Sequence, residues 1–94
     1  MDTPDHILIV DDDAEIRSLL TQYLVKSGLR ATAVADGRGM WQALDAGRID
    51  LIVLDLLMPK LTGFDVLREI QKDERIRSTP VLVMSGVYKE DVVA

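Results

Sequence analysis

The 94-residue chain is 48% hydrophobic, carries a net charge of −5, and has no cysteine and one histidine. The hydrophobic share excludes a disordered tail, and the length fits one domain of modest stability, since so short a chain buries only about 60–65% of its unfolded surface. The charge leaves no footprint for nucleic acid, and thiolate or histidine-cluster metal sites cannot be built, so oxygen ligands for hard cations such as magnesium or calcium remain.

The chain starts Met1-Asp2-Thr3-Pro4-Asp5, which is acidic and lacks the basic start of a signal peptide. No apolar run is long enough to span a bilayer. The default expectation is a cytoplasmic protein with no membrane partner. His6-Ile7-Leu8-Ile9-Val10 opens the pattern as an apolar, β-branched run without polar alternation, which predicts a strand buried on both faces. It stops at Asp11-Asp12-Asp13. Asp13 is the expected N-cap of a helix whose apolar face is Ile16, Leu19, Leu20, Tyr23 and Leu24. Gly28 stands where a helix end calls for positive φ.

Ala31 to Ala35 predicts a second strand, closed by an Asp36-Gly37 turn. Met40, Trp41 and Leu44 predict a short helix ending at Gly47. Leu51-Ile52-Val53-Leu54 is a third buried strand, stopping at Asp55, and Pro59 and Gly63 mark the loop that follows. Phe64, Leu67 and Ile70 give a third helical face, with Val66 beside it. Gln71 to Thr79 reads as a linking loop. Val81 to Met84 is a fourth strand ending at Ser85-Gly86, and Lys89 to Val93 begins a further helix. Strands and helices that alternate in this way predict a parallel sheet with helices on both faces. Ligands of such sheets bind beyond the carboxyl ends of the strands, at the switch in strand order.

Asp11 and Asp12 follow the first strand, Asp55 closes the third and Ser85 follows the fourth, so all lie at one edge of the sheet. Two carboxylates about 4 Å apart repel by roughly 4 kcal/mol at an effective dielectric of 20. A fold gathers no such set for stability, whereas a divalent cation removes the repulsion. The bland reading of Asp11 and Asp12 alone, a solvated loop that caps a helix, is about as strong, and Asp55 shifts the balance. Asp13 reads as a cap only. Trp41 and the methionines read as core, His6 as structural, and Lys60 and Lys89 as solvated.

These residues carry a family resemblance. The His6–Asp13 run, Leu51-Ile-Val-Leu-Asp55-Leu-Leu-Met-Pro59 with Gly63, and Val81-Leu-Val-Met-Ser85-Gly86 together resemble the receiver domain of bacterial two-component response regulators. Asp5 to Leu24 is most similar to receivers joined to a winged-helix DNA-binding domain, which this sequence does not include. The resemblance implies a flavodoxin/CheY-like α/β sheet with strand order 2-1-3-4. It implies that Asp55 accepts a phosphoryl group from a sensor histidine kinase, and that Ser85 is the hydroxyl that binds the phosphoryl group. Mg2+ would be held by Asp12 and Asp55, by Asp11 partly through water, and by the backbone carbonyl of Leu57. Leu57 and Val87 match positions flanking the path of hydrolytic water, and their apolar character implies a long-lived phosphoryl group.

A receiver has on the order of 120 residues. The family's fifth strand, last helix and fifth-strand lysine have no counterpart in the 94 residues, so the chain reads as a receiver, 1–94, truncated before the fifth strand. The edge of the fourth strand is then expected to recruit a second copy, as a homodimer or a domain-swapped assembly. The alternative function is an engineered or truncated fragment, or a chimera, acting as a folding or assembly unit without phosphotransfer. An aspartyl phosphatase would need a second acid two residues after Asp55, where Leu57 stands. A dinucleotide binder would need a glycine-rich loop after the first strand.

Overall fold

The continuous apolar runs become strands, as their patterning requires. The computed structural model describes residues 4–55, 63–74 and 78–84. In chain order the elements are β1 (His6–Val10), α1 (Ala14–Lys26), β2 (Arg30–Val34), α2 (Gly37–Ala46), β3 (Leu51–Asp55), α3 (Gly63–Lys72) and β4 (Val81–Met84). All pairings are parallel and the sheet order is β2-β1-β3-β4, as expected. The order reverses between β1 and β3, which makes the cleft at their carboxyl ends the natural ligand position.

The period of two along a strand divides the core between the two faces of the sheet. Leu8 and Val10 of β1, with Ile52 and Leu54 of β3, face Met40 of α2 and Val66 and Ile70 of α3. Ile7, Ile9 and Val53 face the other way, against Leu20 and Leu24 of α1. Leu8, Ile9, Val10, Ile52 and Leu54 are fully buried. Each such burial contributes about 1.5–3 kcal/mol, so β1 and β3 form a rigid base for whatever follows them.

Several boundaries and faces differ from the sequence expectation. β2 begins one residue earlier, at Arg30, and ends at Val34. Asp36 is not a simple turn residue. Its carboxylate accepts a 2.8 Å hydrogen bond from the Gly39 amide and so caps α2. α3 runs on to Lys72, and Val66 lies on its buried face. On α1, Leu19 and Tyr23 are 59% and 69% exposed. The predicted five-residue stripe spans roughly 140° of the helix circumference at 3.6 residues per turn. Only its Leu20–Leu24 side reaches the sheet. Gly28 has φ +90°, the left-handed conformation expected of it after α1.

Candidate metal centre

Register determines the site. Val10 of β1 pairs with Leu54 of β3, so the next residues, Asp11 and Asp55, stand side by side at the carboxyl ends of the two strands. Asp12 follows at the start of the loop to α1. One carboxylate oxygen from each of Asp11, Asp12 and Asp55 lies within 4.8 Å of the others. Asp11 and Asp55 are buried, at 0% and 1% exposure, whereas Asp12 is exposed and forms the open side of the pocket.

The loop that carries Asp11 and Asp12 is tied at several points. The Asp11 amide donates to the Val34 carbonyl at 3.1 Å, which extends the β1–β2 ladder by one bond. The Asp13 amide donates to Asp11 Oδ1 at 2.9 Å. Asp13 Oδ1 in turn accepts from the amides of Glu15 and Ile16, at 2.9 and 3.2 Å. Asp13 is therefore the α1 cap that was expected, and its backbone also orients a pocket carboxylate. Arg17, in the second turn of α1, reaches back and donates from Nη1 to the Asp11 carbonyl at 2.9 Å.

The donor set suits a hard divalent cation. All three groups that could hold an ion are carboxylates, with neither sulfur nor imidazole in the set. With one oxygen of each within 4.8 Å of the others, the three carboxylates are close enough together to share one such cation. Among the described residues no buried polar side-chain atom lacks a hydrogen-bond partner. Charge, more than a missing hydrogen bond, is what a cation would satisfy. Leu57 and Ser85, the other two site residues expected from sequence, lie outside the described residues, as do Val87 and Lys89.

The profile of the response regulator receiver domain matches residues 7–94. The chain belongs to that family. This receiver is 39% identical over 88 residues to the chemotaxis protein CheY of Pseudomonas aeruginosa, covering 93% of this chain and 71% of that protein. It resembles the structure of the chemotaxis protein CheY4 of Vibrio cholerae, with a TM-score of 0.82 at 28% identity, over 95% of this chain and 78% of that one. A further match is a structure of histidine kinase ThkA in complex with response regulator protein TrrA, with a TM-score of 0.78 at 29% identity, over 87% of this chain and 69% of that one. The receiver spans about a third of the length of some transcriptional regulators that it also matches.

The receiver is thus a signalling module of two-component systems, a class that typically binds a divalent metal and interacts with sensor histidine kinases. Its Asp11, Asp12 and Asp55 supply an acidic cluster of the required kind. No helix among the described residues is long and apolar enough to cross a membrane. The residue that sequence reasoning missed is Arg17. Its signal was a basic residue near the amino end of a helix, where the helix dipole disfavours positive charge.

Proposed function

We propose that Asp55 is the phosphoacceptor of this receiver and that Mg2+ is its cofactor. The observation that carries the reading is a buried carboxylate at the end of an apolar central strand, with an oxygen within 4.8 Å of oxygens from Asp11 and Asp12. Asp12 and Asp55 would hold the ion directly, Asp11 partly through water, with the Leu57 carbonyl as a further ligand. When bound, magnesium offsets the negative charge of the carboxylates and of the phosphoryl oxygens.

The Asp55 carboxylate oxygen attacks phosphorus in line with the P–N bond of a phosphohistidine on the partner kinase. The new P–O bond forms as the P–N bond breaks, and the imidazole leaves with the electron pair and takes up a proton. The sheet holds Asp55 so that its carboxylate need not be ordered at the moment of reaction. Ser85 would bind a phosphoryl oxygen, and apolar Leu57 and Val87 would give hydrolytic water no polar anchor, making the phosphoryl group long-lived. The module is acted on by a kinase and has no substrate turnover of its own. A cytoplasmic location, where the kinase draws on ATP, belongs to the same reading. So does self-association of the 94-residue polypeptide along the β4 edge.

Incubation of the chain with magnesium and a small phosphoryl donor, followed by intact mass measurement, tests the reading. We expect a gain of one phosphoryl group that needs magnesium and is absent in Asp55→Asn. No gain under any donor or metal condition would favour an assembly unit without phosphotransfer.

A further inference from the structure

The contact between Arg17 and Asp11 assigns a role that the acidic side chains alone do not explain. Arg17 projects from the second turn of α1 and donates from Nη1 to the backbone carbonyl of Asp11 at 2.9 Å. That carbonyl belongs to the peptide linking Asp11 to Asp12, two of the three carboxylates in the pocket. The same residue is held at its amide by Val34 and at Oδ1 by the amide of Asp13. With its amide, carbonyl and carboxylate all engaged, Asp11 has little freedom to turn, and the direction in which Asp12 leaves it is set as well.

We propose that Arg17 is a positioning residue for the divalent cation, holding the Asp11–Asp12 peptide so that both carboxylates converge on Asp55. This rests on the metal-binding reading above. Its charge by itself acts in the opposite sense, since a guanidinium beside the pocket repels a cation. Removal of Arg17 therefore separates two effects. If charge dominated, the variant would bind the cation more tightly. If orientation dominates, it binds more weakly, and loss of a group that orients metal ligands typically costs 10–100-fold in affinity.

The test is calorimetric titration of the full chain with Mg2+, at a temperature where every variant is folded by circular dichroism. Arg17→Ala is expected to weaken binding about tenfold. Arg17→Lys, which keeps a donor of similar reach, is expected to recover most of the affinity. Arg68→Ala, which removes one positive charge from the exposed face of α3, serves as the charge control and should leave affinity close to wild type. A purely structural role would lower the melting temperature of Arg17→Ala in metal-free buffer and leave its Mg2+ affinity unchanged, which would overturn the proposal. Unchanged or tighter binding by Arg17→Ala would do the same. If Arg17→Ala does not fold, Arg17→Lys and Arg17→Gln decide: equal binding by these two, whatever their donor reach, sinks the idea. Absence of Mg2+ binding by the wild-type chain would overturn the metal-binding reading itself, and this inference with it.

Discussion

Asp50 lies at the amino end of β3, opposite the candidate metal centre, and its charge is balanced by neighbouring protein groups. Its Oδ2 accepts the His6 amide at 2.8 Å, and Oδ1 pairs with Arg48 Nε at 3.2 Å. The His6 amide above all, and then Arg48 and Arg30, hold its carboxyl below the ordinary value of 3.8, while burial works the other way. The resulting stabilisation is fully present above pH 3.8. Below it the unfolded chain takes up a proton that the folded chain does not, so stability falls until the pH passes the lowered folded value. Asp50→Asn should flatten the acid limb of a urea-denaturation series below pH 3.8, and an unchanged limb would contradict this assignment. At this scale the acids of the pocket were legible, because Asp11 and Asp55 each follow an apolar run that has to end at the sheet edge, and Asp12 is next to Asp11. Arg17 was not, because its partner is a backbone carbonyl, and side-chain spacing carries no mark of such a bond.

At the scale of elements, strands were easier to read than helix faces. β1 and β3 are central, so all but the first residue of each is buried, and Ile7 to Val10 and Leu51 to Leu54 read as continuous apolar runs. A helix instead shows a stripe whose width exceeds what its neighbours cover. Leu19 and Tyr23 match the period of α1 and still face outward, because only the Leu20–Leu24 side reaches the sheet. α3 shows the converse. Val66, read from sequence as lying beside the face, is 1% exposed and packs with Ile70 in the core. Chemical denaturation separates these cases. Ile70→Ala should cost about 2–5 kcal/mol by opening a cavity. Tyr23→Ala should change stability by no more than about 0.5 kcal/mol, as for an exposed site with no special contact. A large loss at Tyr23 would mean that this side of α1 is covered.

At the scale of the whole sheet, a firm centre of β1 and β3 is flanked, among the described residues, by β2 and β4 as edge strands. Among the described residues β4 pairs with β3 alone, and Leu82 and Val83 are 56% and 40% exposed. Apolar strand edges recruit other strands. The proposed self-association predicts that sedimentation of the chain at micromolar concentration reveals a species larger than a monomer, and a stable monomer would refute it. The firm centre has a different consequence. The pairing of Val10 with Leu54 works as a ruler, because the same step that buries Leu8, Ile52 and their neighbours sets Asp11 beside Asp55. A slip of one residue between β1 and β3 would move every side chain of the slipped strand to the opposite face of the sheet, spoil the packing on both faces and part the two acids. On the proposed metal-binding reading, cation affinity would serve as a gauge of strand alignment, readable even in variants whose substitutions lie deep in the core and touch no acidic residue.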